Sequence, residues 1–515
     1  MSQILHIFRK DVRRHWPEIA ASLILVALFA WHEPANWGPQ RGFGSETAFL
    51  LDLFWNFLPG FLFISWWLLI VRSVQDESLV GDRQFWVTRP YEWWKLLTSK
   101  TLFVFVFVNV PYFVADVILL HRAGFAILPH IAGLIEIQAI MTLGAFFTVA
   151  TLAAVTSGIG QFLLAVLVVL LYVACVSSLS SSLPNSEMSV GGWFPGGVIF
   201  LFFLGTCLFV IFWQYARRRT MQSRLAIGAF FLAVLVVSVA APYRLLVERT
   251  YPVPQNGQQP LARFTFENLP PQGSAPAWPR KKFVNLEIPL HVDGLASDLV
   301  AVRGIVVEIE APGGSRADSR WQSEFSPLGL YTGTFNAVFS LDRKTFERAK
   351  STPVKLRVSL ALTSYKLQSQ RTVRIASGEM SIPQVGTCSV VQTNDFAQCL
   401  APLKRPSFLA QVQRDSLTCP VEGGNPPATA YALEGEWGNA SGVDPGLDPI
   451  SQFQISFSTQ EPGSRDVDSW KLCPGTTITF RTPTPERSSR TVFEIDGVHL
   501  TDLLMKPPKL VVRER

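Results

Sequence analysis

Seven long apolar stretches crowd into residues 1–242 of a 515-residue chain. A helix needs about 20 mostly apolar residues to cross a hydrocarbon layer about 30 Å thick. Inside lipid, its backbone polar groups have to be paired within the helix itself. The stretches run over 16–31, 49–71, 102–120, 131–155, 159–179, 197–214 and 225–241. The first is the weakest, being short and followed by His32 and Glu33. Charge divides the chain at the same place. Residues 1–242 hold 15 Lys/Arg and 12 Asp/Glu, while 243–515 hold 30 and 27. The whole chain is 16% charged, against roughly 25% in an average soluble domain. This is the composition of a membrane domain followed by a soluble one, and it argues against an ordinary soluble enzyme. Each half nets +3, so charge points to no nucleic-acid partner.

Lys and Arg accumulate on the cytoplasmic side of short loops. With seven spans and the N-terminus inside, the inner segments carry thirteen of them, among them Arg9, Lys10, Arg13, Arg14, Arg72, Lys100 and Arg217 to Arg219. The outer loops carry Arg41 and Arg122 alone. The expected placement is the cell (inner) membrane, multi-pass, with the C-terminal region extracytoplasmic. Trp16, Trp31, Trp66, Trp67, Trp93, Trp94 and Trp213 sit near expected span ends, as an aromatic belt requires. His32-Glu33-Pro34 lacks a clean small-x-small site, which disfavours a cleaved signal peptide. Residues 1–15 and the Trp16 that follows place Leu5, Phe8, Val12 and Trp16 at helical spacing opposite Lys10, Arg13 and Arg14. That pattern predicts an interfacial helix, with a plain cytosolic extension of the first span as the alternative.

Beyond Pro242 the period changes to short alternating runs split by Pro and Gly. These are 283–292, 300–310, 331–341, 354–362, 370–375, 453–457, 477–482 and 491–495. They predict a mainly-β, sandwich-like region over 281–515, in one or two domains, after a Pro-rich linker at 243–280. An internal boundary is expected near Pro383 to Gly386, and a short helix over Asp342 to Lys350 with Asp342 as its cap. The fold class is therefore an α-helical polytopic membrane domain of about seven spans followed by a β-rich extracytoplasmic region.

Cys175 and Cys207 fall within spans and read as small packing residues. Cys388, Cys399, Cys419 and Cys473 all lie in the exported half, where disulfides are favoured. Proximity suggests 388 with 399 and 419 with 473 among three possible pairings. Zinc is the competitor, but no pair has zinc-knuckle spacing. No GxxxxGK[ST] loop, HExxH site or GxSxG elbow occurs. The chain therefore shows no ATPase, metal-hydrolase or Ser-hydrolase motif of its own, and no enzyme, metal or cofactor is expected.

The informative segment is Arg72 to Lys100, RSVQDESLVGDRQFWVTRPYEWWKLLTSK. It is too polar for membrane, too short for a domain, and broken at Pro90. With Phe8-Arg9-Lys10-Asp11 before a weak first span, and the Gly/Pro-rich stretch Ser178 to Gly197, it resembles the permease subunits of type-2 ABC exporters. The resemblance covers roughly residues 1–220. The matching positions are Glu77, Gly81, Arg89, Pro90 and Lys100. The resemblance implies a half-transporter that pairs as a homodimer or heterodimer in the bilayer. A separate cytosolic ATPase would use the ATP and dock on this segment. The seventh span and the exported region depart from the family pattern. They suggest that something is received, presented or sensed outside.

The alternatives are a membrane-anchored binding or sensory protein and a membrane-bound hydrolase. Charges within spans are costly and often functional. Asp52, Asp116 and Glu136, with Arg122, fall near outer span ends and are read as an external mouth or as helix-pairing charges able to snorkel. Gly133, Gly144, Gly158, Gly160 and Gly205 are expected at close helix contacts.

Overall fold

The computed structural model describes residues 2–37, 46–76, 92–181, 193–240, 243–255, 258–268, 282–297, 299–312, 314–330, 333–374, 379–383, 385–390, 396–413, 429–434, 447–457 and 476–505. Its N-terminal half is helical. An amphipathic helix α1 (Ser2–Arg14) leads into α2 (Trp16–Asn36), with Pro17 in the first turn, where its missing N–H costs nothing. Then come α3 (Glu46–Gln75), α4 (Trp93–Val104), α5 (Val110–Arg122), α6 (Ile131–Met141), α7 (Phe147–Val155), α8 (Ile159–Ser181), α9 (Trp193–Arg217) and α10 (Thr220–Ala240). Single π turns at Phe105–Asn109 and Thr142–Phe146 weld α4 to α5 and α6 to α7. The described residues thus contain seven helices long and apolar enough to cross a membrane.

Their number matches the sequence expectation and their ends do not. The first span runs on through His32, Glu33 and Pro34 to Asn36. The third begins at Trp93 instead of Leu102, so Lys95 and Lys100 are helical. Their charges are met by Glu92 and Asp11, which lets the helix continue where composition alone signals a loop. α5 ends in the left-handed Gly124 (φ 81°), with Gly124 N–H donating to His121 O and Phe125 N–H to Leu120 O. This satisfies carbonyls that a helix end leaves open.

The core forms where one stripe of each helix turns inward. On α2 these residues are Ile19, Ser22, Val26, Phe29 and Ala30. Trp66 is fully buried at the centre, edge-on to Phe146 and against Tyr112. α8 is the opposite case. Leu163, Leu164, Leu167, Val168, Leu170 and Leu171 are all exposed, an apolar surface suited to lipid.

The C-terminal half is mainly β. Within the Pro-rich stretch 243–280 lie a helix, α11 (Tyr243–Thr250), and a strand, β1 (Arg263–Phe266). α11 is held by Arg244 to Glu308 (2.8 Å) and by Glu248 to Arg490 (3.1 Å). The remaining strands are β2 (Phe283–Asp293), β3 (Leu299–Glu310), β4 (Arg316–Asp318), β5 (Gln322–Leu328), β6 (Thr334–Asp342), β7 (Val354–Arg374), β8 (Glu379–Ile382), β9 (Gly386–Val390), β10 (Phe396–Pro402), β11 (Phe408–Gln413), β12 (Thr429–Glu434), β13 (Ile450–Ser456) and β14 (Thr477–Val498). The helix α12 (Arg343–Ala349) is capped as expected, Asp342 accepting from Thr345 N–H.

Two pairs of expected short strands are in fact single long ones. β7 absorbs 354–362 and 370–375 up to Arg374, and β14 absorbs 477–482 and 491–495. They pair antiparallel along most of their length, with three register shifts near Phe480/Thr482, Pro485/Arg487 and Ile495/Val498. Pro483 and Pro485 pair opposite Leu367 and Tyr365, in the short stretch between two of these shifts. One sheet, β12-β11-β14-β7-β3-β4 with β5 beside β3, therefore backs two cores. β1-β2-β6 closes the first over Leu286, Phe339, Leu356 and Leu360, and β13-β10-β9-β8 closes the second over Phe408, Phe453 and Phe480. Near the boundary expected at 383–386, β8 and β9 pair antiparallel in the second sheet, and Val385 N–H donates to Ile382 O.

Candidate functional site

α1 presents Ile7, Asp11 and His15 to the helices behind it, with Phe8 stacked on Phe107 at 5.9 Å. Of the apolar residues that spacing puts on one side, Phe8 and Val12 pack against the helices while Leu5 and Trp16 are exposed. Asp11 accepts from Lys100 Nζ at 2.8 Å, and both side chains are almost wholly buried. One turn on, Asp76 Oδ2 forms an ion pair with Arg14 Nε at 2.9 Å and lies 2.8 Å from His15 Nε2. Glu18, in the first turn of α2, pairs with Arg72.

The segment 11–18 thus grips both flanks of the connection that leaves α3 and re-enters α4. Glu77, Gly81, Arg89 and Pro90 lie outside the described residues; Lys100 is the member of the expected coupling set placed by the structure. The surrounding ends are tied in as well. Gln75 Nε2 donates to Thr156 Oγ1 at 2.9 Å, and Arg224 donates to Val155 O at 3.0 Å. A buried ion pair fixes geometry more than it adds stability, and removing one partner strands a charge. Chemically, the arrangement is a rigid bracket.

The charges expected at an outer mouth separate. Asp116 is fully buried and does not snorkel; it accepts from Gln138 Nε2 at 3.2 Å, joining α5 to α6. Arg122 donates to Ala30 O and Trp31 O, 3.4 Å each, and lies over the Trp31 ring, tying α5 to α2. Glu136 is exposed and joins neither. Asp52 is on α3, and its side chain lies outside the described ones.

At the other end of the helices, the β region rests on them. Trp37 Nε1 donates to Asp448 Oδ2 at 3.1 Å, while Ile450 N–H holds Asp448 Oδ1 at 2.9 Å. Glu33 lies within hydrogen-bonding reach of the same carboxyl, and the two line a cavity of about 440 Å³ together with Phe29, Pro59 and Leu403. Burial, and then the nearby Glu33 carboxyl, push Asp448 up to about 7. Ile450 packs with Leu120 and Leu134. Leu403 fills the space over Gly133, where an added Cβ would sit 2.3 Å from its Cδ1. Gly133 therefore receives the β region and not a helix, and Gly144, Gly158, Gly160 and Gly205 meet nothing within 4 Å.

The expected Cys388–Cys399 disulfide is present, joining directly opposed positions of β9 and β10. Cys419 and Cys473 lie outside the described residues. Cys207 is buried, whereas Cys175 is exposed on the apolar surface. Among the described residues no His/Cys/Asp/Glu group is arranged to hold a metal.

Sequence reasoning missed Asp11, Asp76, Glu33, Trp37 and Asp448 as members of sites. For Asp11 a signal existed: Ile4, Ile7, Asp11 and His15 form one helical stripe, which puts an acid on an apolar face. No family model, curated protein or solved structure matches this chain.

Proposed function

We propose that this chain is the permease-like subunit of an ABC transporter, driven by a separate cytosolic ATPase, with its N-terminus in the cytoplasm and its β region outside. The observation that carries the reading is the bracket. Asp76 and Lys100, 24 residues apart in sequence, are both bound to the stretch Asp11 to His15. A load applied to the connection 77–91 is then delivered to α1, α2, α3 and α4 together. Such rigid attachment is what converts ATPase closure into helix tilt. The basic bias of the flanking segments supports the orientation, and a chain with no phosphate loop of its own fits a scheme in which a partner uses the ATP.

The test is a detergent pull-down of the full-length protein, with mass spectrometry for a P-loop ATPase. Recovery of one ATPase that Glu77→Ala/Arg89→Ala loses is the expected result. A folded preparation that brings down none, with or without nucleotide, overturns the reading.

A second reading, a membrane-anchored binding or sensory protein, draws on the other end. Trp37 and Asp448 join the β region to α2, so a ligand or envelope partner on that region would act on the same span. Failure of the pull-down, with ligand-dependent protection of the junction, favours this reading.

A further inference from the structure

The cavity of about 440 Å³ where the β region meets the helices has a mixed lining. Phe29, Pro59, Phe63, Leu403, Leu447 and Ile450 form its apolar walls, and Glu33, Asp448 and Ser451 supply the polar part. No Lys, Arg or His is among the lining residues. Glu33 and Asp448 share a hydrogen bond. A bond between two carboxyls needs a proton on one of them, and with the other ionised the pair carries one negative charge.

The donors that meet this charge are neutral. Asn36 Nδ2 reaches Glu33 Oε2 at 3.4 Å, and Trp37 Nε1 and Ile450 N–H hold the two oxygens of Asp448. Arg122 on α5 is engaged with the carbonyls of Ala30 and Trp31, and His32 lies flat on the Trp55 ring at 4.0 Å. Charges taken out of water are ordinarily paired, so the cavity favours a ligand that brings a positive one. A metal ion is a poor match. Ca²⁺ takes about six to eight oxygens, whereas both Asp448 oxygens are already engaged and, among the lining side chains, Glu33 and Ser451 supply the others. The walls suit an organic cation instead, since a mostly apolar pocket with a few placed polar groups is the common form of a small-molecule site. The volume is about three times that of a ~150 Å³ apolar cavity that accepts benzene, giving room for about fifteen heavy atoms.

We propose that this cavity binds an organic ammonium ion carried on an apolar body, with the charge at the Glu33 and Asp448 carboxyls and the body against Phe29, Phe63 and Leu403. This goes beyond the transport reading and does not depend on an ATPase.

The experiment uses purified full-length protein in an uncharged maltoside detergent at neutral pH. The photolabel is benzylamine carrying a trifluoromethyl diazirine, read by peptide mapping. Labelling is expected to saturate and to map to 29–33, 59–63 and 447–451. Unlabelled 4-phenylbutylammonium should compete about tenfold better than 4-phenylbutanol, the ratio that about 1.4 kcal/mol of charge-assisted hydrogen bonding supplies. The anion 4-phenylbutanoate should not compete. Glu33→Gln/Asp448→Asn keeps the shape, removes the charge, and is expected to equalise ammonium and alcohol. Ser451→Trp fills the cavity with both carboxyls intact and should abolish labelling. Equal competition by ammonium and alcohol in the parent protein overturns the proposal, without reliance on any variant folding. Non-saturable labelling spread over Leu163 to Leu171 does so as well. Displacement of the label by Ca²⁺ at lower concentration than by 4-phenylbutylammonium would make this a metal site and would equally overturn it.

Discussion

The Lys100 ammonium and the Asp11 carboxylate meet at 2.8 Å with side-chain exposures of 4% and 1%. Neither has water to fall back on. Lys100→Met is therefore expected to destabilise the helical half by about 3–5 kcal/mol, because it leaves Asp11 buried and unpaired. Asp11→Leu/Lys100→Met should regain most of that loss, since packed apolar side chains replace a buried pair at little cost. Thermal unfolding in detergent of the two single variants and the double reads the coupling directly. A single variant within about 0.5 kcal/mol of the parent would show that the pair is not a structural tie.

The Cys388–Cys399 bond closes a short loop, with a sequence separation of 11. Loop-closure entropy for that length gives about 3 kcal/mol of stabilisation. Cys388→Ala/Cys399→Ala is expected to lower the stability of the second β core by about that amount. Non-reducing peptide mapping of protein taken from membranes should recover 388 and 399 as one linked species, as an oxidising compartment requires. Free alkylation of both thiols in that sample would place the β region on the reducing side and would count against the orientation proposed above.

What was legible in the sequence was what is local. Each apolar run declares its helix because lipid-compatible length and composition are properties of one segment, and Asp342 declares its cap within four residues. The disulfide was readable for the same reason, its partners lying on adjacent strands. What was hidden depends on partners far away in the chain. Asp11 shares a helical stripe with Ile4 and Ile7, but the partner that meets its charge, Lys100, lies 89 positions on. Pro483 and Pro485 look like strand breakers, yet they pair opposite Leu367 and Tyr365 beside a register shift. Asp448 follows a stretch with no periodicity, and its role exists only because Trp37 lies across from it.

Leu403 adopts a left-handed backbone (φ 68°) and reaches the bare backbone of Gly133 on α6. A non-glycine residue in that region costs of order 1 kcal/mol or more and persists only where its surroundings hold it. Gly133→Val is expected to expel the Leu403 side chain and loosen the junction by about 1–3 kcal/mol. Hydrogen exchange should rise in 396–403 and 447–457 and stay unchanged in α6 and α7. Leu403→Ala in the Gly133→Val background should restore protection by clearing the clash. If Gly133→Val left exchange in both β segments at the parent level, Leu403 would not be a docking contact.

The junction should also respond to pH through Asp448, pushed up to about 7 by burial and by Glu33 from an ordinary value of 3.8. Glu33 and Asp116 face it from α2 and α5, and Tyr112 lies near, while Trp37 Nε1 and Ile450 N–H donate to it. A carboxyl whose value is raised by docking favours docking while it is protonated. Its contribution is full below about pH 4 and is lost as pH climbs through about 7. Protection of 447–457 against hydrogen exchange, corrected for intrinsic rates, is therefore expected to be greater at pH 6 than at pH 8. Asp448→Asn keeps the shape, cannot ionise, and should flatten the dependence. A parent protein with equal corrected protection at both values, or an Asn variant that retains the slope, would remove Asp448 as its origin.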